Sequence, residues 1–163
     1  MTDKEIHEKL VEFGTKILYK RSLPEGLPFI SSYAKAITGA DRCSMFIYDS
    51  VNKELWTTLA DGVEKLIIPA DKGIIGETLK HKKGIIENDV NSNPYFLSEV
   101  DMHTGYDTKN IITAPVFNVK KEVVGILQLL NKNSDFNEGD LKYMDFFANS
   151  LSDFVELVNL YKD

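Results

Sequence analysis

The sequence predicts an α+β domain: an antiparallel sheet of about five or six strands with the terminal helices packed on one face. Three observations predict it. Apolar residues recur at three- and four-residue steps near both ends of the chain, which is the period of helices. Between those ends lie short runs rich in β-branched and aromatic residues, several joined by three-residue turns, which is the pattern of hairpins. The length of 163 residues suits one domain spanning 1–163, and the chain contains no repeat, low-complexity tract or linker.

The elements follow in order. Ile6, Leu10, Phe13, Ile17 and Leu18 mark a helix over 3–20. SLPEGLP, 22–28, breaks it with two prolines and a glycine. FISSYAKAITG, 29–39, forms a second helix, with Phe29, Tyr33, Ala36 and Ile37 on one side and Gly39 at its C-terminal end. The period then changes. RCSMFIYDS (42–50), ELWTTLA (54–60) and EKLIIPA (64–70) read as a three-stranded meander with VNK and DGV as connections. KGIIGETLKHKK (72–83) has helical spacing, Gly73 stands at its entrance, and GIIEN (84–88) is a short strand. NIITAPVFN (110–118) and EVVGILQLLNK (122–132) form a hairpin around VKK. The last helix starts near Asn137, which stands at capping-box spacing from Asp140. Along it Phe147, Leu151, Phe154, Val158 and Tyr161 alternate steps of four and three.

Charge and composition narrow the function. The net charge is −6, with no block of Lys or Arg, which argues against nucleic acid and against an anionic membrane surface as partners. Arg21 and Arg42 are the only arginines, so a bound phosphate would rest on lysine or backbone N–H groups. The single Cys43 permits no internal disulfide and points to a reducing, cytoplasmic setting. Its place in an apolar strand marks it as a buried, structural thiol. The charged N-terminus has no apolar core of a signal peptide. No apolar stretch approaches the ~20 residues that span a bilayer. His7, His81 and His103 are scattered over different elements and suggest no metal site.

The stretch 89–109 is far longer than the roughly four to six residues that usually join elements. Ser98 and Asp101 have capping-box spacing, which predicts a short helix laid over the sheet, anchored by Pro94, Tyr95 and Phe96. On that helix Asp101, Thr104 and Thr108 share one polar face. They either face a ligand beneath it or face water and cap the local backbone. Likewise Gly73-Ile-Ile-Gly76 either offers helix N–H groups to an anion or only serves a tight turn and close packing.

Four stretches carry a family resemblance: RCSMFIYD (42–49), IPADKGIIGETLKHKKGIIENDVNSNPYF (68–96), VDMHTGYDTKNIITAPV (100–116) and VVGILQLLNK (123–132). From about 25 to 161 the chain resembles the GAF domains, in particular those of cyclic-nucleotide phosphodiesterases and cyanobacterial adenylyl cyclases. The NKFDE signature of that family stands here as Asn131, Lys132, Phe136 and Asp140, with Leu141 in place of its last glutamate. The resemblance implies a six-stranded antiparallel sheet and a ligand pocket under a short lid helix. It places ligand contacts at Ser44, Asp61, Ile74, Ile75, Leu97, Asp101, Thr104, Thr108 and Gln128, and a structural lysine–aspartate pair at Lys132 and Asp140. Pocket aromatics common in the family are replaced by Ala60 and Leu97, and a frequent glutamate by Gln128.

The function implied is that of a regulatory sensor of a small molecule, with cAMP or cGMP as the best single ligand, no catalysis and no cofactor, reporting to an effector domain outside this chain. Two other readings stand beside it: a ligand-free dimerisation or signal-relay module, and a sensor of a different small ligand. Ile6, Leu10 and Phe13, with Phe154, Val158 and Tyr161, favour a homodimer through the terminal helices. Methionine sulfoxide reduction, known for some GAF proteins, uses several cysteines, and one thiol cannot form the disulfide it needs.

Overall fold

The computed structural model describes residues 1–60, 66–96 and 106–160, with the backbone alone at 59, 60 and 158–160. The chain runs α1 (Asp3–Lys16), α2 (Leu23–Thr38), β1 (Ala40–Asp49), β2 (Glu54–Ala60), β3 (Ile67–Pro69), α3 (Gly73–His81), β4 (Ile86–Glu87), β5 (Ile111–Phe117), β6 (Val123–Lys132) and α4 (Glu138–Leu160). The strands form one six-stranded sheet in the order β3-β2-β1-β6-β5-β4, every neighbouring pair antiparallel. The α+β architecture read from the sequence is therefore the one observed. The DGV turn and residues 98–105 of the helix predicted from Ser98 lie outside the described residues; Thr108, expected on that helix, stands in non-helical backbone.

Strand bounds shift by up to three residues, and two helix boundaries differ by more. The helix expected over 3–20 ends at Lys16 and finishes as a 3-10 turn, Ile17–Tyr19. The stretch 22–28, read as a breaker, is instead the start of α2. Pro24 sits in the first turn, where backbone N–H groups have no intrahelical partner, so its missing donor costs nothing. Pro28 does forfeit a bond, but Leu23, Leu27 and Ile30 on the same helix are buried, and that burial decides the conformation. Gly26 lets α2 approach α4 closely: a Cβ there would lie 2.7 Å from Cε2 of Phe154.

Alternation along the strands divides the sheet into two faces. Cys43, Met45 and Ile47 of β1, Leu127 and Leu129 of β6, and Ile112, Ala114 and Val116 of β5 belong to one large core with α2 and α4. Cys43 is fully buried in it. Phe13 of α1 closes this layer, packed among Phe29, Tyr33, Phe146 and Phe147 at centroid distances of 5.1–5.7 Å. Phe147, Leu151 and Phe154, the described part of the expected seam on α4, are buried against their own sheet.

The opposite face carries two smaller clusters. Phe46, Leu55, Ile68 and Ile126 gather around Ile75, while Val90 and Ile111 gather around Ile74. α3 thus lies over this front face and grips both clusters with adjacent isoleucines. Pro115 in β5 is tolerated because β4 pairs with β5 only at Ile111 and Ile112, so no ladder partner is lost at 115.

Candidate functional site

The front face has a polar row across its centre. In β1, Ser44 stands opposite Gln128 of β6, and Gln128 stands opposite Thr113 of β5. Ala60, at the end of β2, extends the row beside Ser44. Ser44, Gln128 and Thr113 belong to the strand parity that points away from α2 and α4. Ser44 and Thr113 are buried and Gln128 is half-buried.

The row is not uniform in chemistry. The Thr113 hydroxyl lies 2.7 Å from the Thr78 hydroxyl of α3 and accepts the Ile85 N–H at 3.0 Å. Thr78 also reaches the Ile74 carbonyl at 3.0 Å. Thr113 is thereby committed to holding α3 and the chain after it. Ser44 and Gln128 are different: among the described residues neither side chain has a hydrogen-bond partner. A hydroxyl and a carboxamide stand with unspent capacity between two apolar clusters.

α3 begins beside this floor. Gly73 has φ 76°, a left-handed backbone that favours glycine, and Lys72 provides no side-chain cap. A Cβ on Gly76 would come within 3.0 Å of the Ala70 carbonyl oxygen, so this glycine is required by the close turn. The turn needs the glycines, as the packing reading expects, and the helix start lacks a side-chain cap. Ile74 and Ile75 are each 4% exposed.

Residues 106–110, which enter β5, are held in place by side chains. Tyr106 donates to Asp41 Oδ2 at 2.7 Å, and the Arg42 guanidinium covers its ring at 3.6 Å from the centroid. Burial, then the bond to Asp41, pushes the Tyr106 phenol well above its ordinary value. Asn131, in the left-handed region at φ 57°, accepts the Lys109 N–H at 2.7 Å and donates to the Asp107 carbonyl at 2.9 Å. Asn110 bonds the backbone of Lys132 through both side-chain atoms and also reaches the Ser134 carbonyl. Thr108, within this stretch, is buried. Phe136 is buried, and Asn88 clasps its backbone N–H and carbonyl. Asn131 and Phe136 of the signature therefore pack and clamp on the stretches that lead into the front face.

Of the predicted contacts, the structure brings Ser44, Gln128, Ile74 and Ile75 to one face, and buries Thr108 in the stretch that enters β5. Asp61, Leu97, Asp101 and Thr104 lie outside the described residues. Of the expected anchor, Phe96 is half-buried against Ile74, Val90 and Ile111, whereas Pro94 and Tyr95 are exposed. Thr78, Thr113, Asn88 and Asn110 were not foreseen. Thr113 had a signal, as a polar residue at an alternate position of an apolar strand; the two asparagines had none, since their partners lie 22 to 48 residues away. Among the described residues no cluster of His, Cys, Asp and Glu could hold a metal ion, and no helix is long and apolar enough to cross a membrane.

A six-stranded antiparallel sheet with helices behind and a half-polar face in front defines the class of the fold, an α+β sheet domain. The GAF domain family model matches residues 29–153, and the chain belongs to that family of small-molecule-sensing signalling domains. It is 31% identical over 124 residues to a dual 3',5'-cyclic-AMP and -GMP phosphodiesterase 11A of Takifugu rubripes, a match covering 66% of this chain and 14% of that protein. Among solved structures it is similar to the GAF domain of a phosphoenolpyruvate-protein phosphotransferase from Coxiella burnetii, with TM-score 0.84, 19% identity and 95% of each chain covered. It is also similar to a free methionine-R-sulfoxide reductase from Neisseria meningitidis in complex with its substrate, with TM-score 0.80, 18% identity and 99% and 96% covered. At these identities the two structures show the fold alone.

Proposed function

We propose that this domain is a regulatory sensor that binds a small molecule on the front of its sheet, with a cyclic nucleotide as the ligand. The observation that carries the reading is the Ser44–Gln128 pair. Two side chains with unspent hydrogen-bonding capacity lie between apolar clusters, suited to a flat ring with polar edges. The uncapped start of α3, with Ile74 and Ile75, would supply N–H groups to a phosphate in a chain with two arginines. Asp101, Thr104 and Thr108 would complete the polar contacts, with Asp61 and Leu97 at the rim. The similarity to a phosphodiesterase that is named for cyclic AMP and cyclic GMP supports the same ligand class. The domain would act without catalysis or cofactor, in a cytoplasmic setting, and report to an effector domain.

A homodimer through the terminal helices belongs to this reading. Its support is now Val11, Leu18, Tyr19, Phe146 and Leu157, apolar side chains that remain exposed on α1, the turn after it and α4. Sedimentation of a concentrated sample showing only the 18.4 kDa species would remove that part.

Isothermal calorimetry with cyclic AMP, cyclic GMP, AMP and GMP tests the ligand. Binding of one cyclic nucleotide more tightly than its linear counterpart is expected. Failure of all four below about a millimolar, a level worth roughly 4 kcal/mol, would assign the floor to another small molecule.

A further inference from the structure

Between α3 and the sheet runs a buried chain of hydroxyls whose direction follows from counting protons. Thr78 and Thr113 are both fully buried, and their hydroxyl oxygens lie 2.7 Å apart. Thr78 has one hydroxyl proton, and it goes to the Ile74 carbonyl at 3.0 Å. At the shared bond Thr78 therefore accepts and Thr113 donates. The Thr113 oxygen itself accepts the Ile85 N–H at 3.0 Å. The chain runs one way, from the Ile85 N–H through Thr113 and Thr78 to the Ile74 carbonyl.

Its end falls on one particular peptide group. The carbonyl of Ile74 and the N–H of Ile75 belong to the same planar, delocalised amide. A proton held on that oxygen draws electron density from the nitrogen and makes the N–H a stronger donor. The Ile74 carbonyl already takes the backbone N–H four residues on, as a carbonyl of α3, so the hydroxyl is a second donor to it. Linked hydrogen bonds strengthen one another by about 10–30% each. The N–H groups of Gly73, Ile74 and Ile75 have no acceptor among the described residues, and Gly76 is the first to spend its own, on the Lys72 carbonyl at 3.1 Å. All three residues are buried. Ser44, 6% exposed and on the same face of the sheet, likewise has a hydroxyl without a partner among the described residues. A threonine that bonds only its own helix is common. Thr78 differs because its oxygen is also loaded from β5, at the residue opposite Gln128.

We infer that Thr113 and Thr78 are positioning residues that prime the Ile75 N–H to hold an anionic group of the ligand. The inference rests on the sensor reading above, in which the start of α3 meets a phosphate. Thr113 fixes α3 on the sheet one strand from Gln128, and Thr78 passes the polarisation to the amide. The gain is greatest against a full negative charge, because hydrogen bonds to ionised acceptors are the stronger ones.

The test has two readouts. The first is the amide resonance of Ile75 in the isotope-labelled, ligand-free protein. Its nitrogen should move upfield in Thr78→Val and in Thr113→Val and return in Thr78→Ser, with smaller changes at Gly73 and Ile74. The second is calorimetry with the better of cyclic AMP and cyclic GMP. Binding should be about threefold weaker in Thr78→Val and restored in Thr78→Ser. Thr38 serves as the control: it is buried and donates to the Ala34 carbonyl at 2.7 Å, but on α2, behind the sheet. Thr38→Val loses a similar bond and should leave both readouts unaltered. An unmoved Ile75 nitrogen in Thr78→Val overturns the proposal whether or not a nucleotide binds. Equal weakening of binding in Thr38→Val, or no rescue by serine, overturns it as well. Failure of the wild type to bind either cyclic nucleotide removes the ligand reading instead, and the nitrogen resonance still decides the priming.

Discussion

Lys132 Nζ stands 2.7 Å from Asp140 Oδ2, and that same oxygen accepts the Asn137 N–H at 3.0 Å. Asn137 returns the favour by accepting the Asp140 N–H at 2.9 Å, closing a reciprocal cap at the start of α4. One carboxylate therefore ties the end of β6 to the first turn of the helix that covers the sheet. Both side chains are largely buried, at 17% and 6% exposure. Removing one member of a buried pair leaves a charge without its partner, at a cost of about 3–5 kcal/mol. Asp140→Ala should fall in that range by urea unfolding, because it also removes the cap. Lys132→Met should cost less, since Asp140 keeps the Asn137 N–H.

Thr113→Val tests the polar tie between α3 and the sheet. It removes the partner of Thr78 and leaves the Ile85 N–H without its acceptor, which costs about 1–3 kcal/mol. Thr78→Val should cost about 1 kcal/mol, since only its own bonds are lost. The double variant should be less destabilised than the sum, because the shared bond is counted once. Additive losses would separate the two hydroxyls.

Tyr106 gives a pH signature. Its folded phenol is raised above the ordinary value, so the native state favours the neutral form. Above about pH 10 an unfolded tyrosine ionises while the native one keeps its proton. The unfolded state then binds fewer protons, and stability falls as pH rises. Below that pH the contribution is fully present. Tyr106→Phe should flatten the fall measured by chemical unfolding across the alkaline range, and should remove a late-titrating phenol from the 295 nm absorbance.

The sequence-level reading reached the fold through period and turn chemistry. Strand β2 was placed at its observed bounds, and the capping box of α4 was readable from Asn137 and Asp140. It misread 22–28 because proline and glycine are judged locally, whereas burial of Leu23 and Leu27 and the approach of Phe154 to Gly26 are tertiary. The floor was half legible. Ser44 and Gln128 came from resemblance, and strand parity alone would have added Thr113.

Cys43 is fully buried on the helix face, away from the polar row. Cys43→Ala should leave nucleotide binding unchanged. In the wild type, a thiol reagent should react at the rate of unfolding rather than at that of an exposed cysteine.

Gln128 and Ser44 separate a binding floor from a merely structural one. Neither side chain has a hydrogen-bond partner among the described residues, so Ser44→Ala and Gln128→Leu remove no bond made there. Their unfolding free energy should stay level or rise, in contrast to Thr113→Val one strand away. If a ligand spends those groups, each change should weaken its binding by about fivefold, the worth of a neutral hydrogen bond near 1 kcal/mol. Asp101→Ala should cost roughly ten- to a hundredfold, because a bond to a charged acceptor contributes about 1.5–3 kcal/mol. Calorimetry with the better of cyclic AMP and cyclic GMP reads both effects. Unchanged affinity in Ser44→Ala and Gln128→Leu, with binding intact in the wild type, would move the ligand off the polar row.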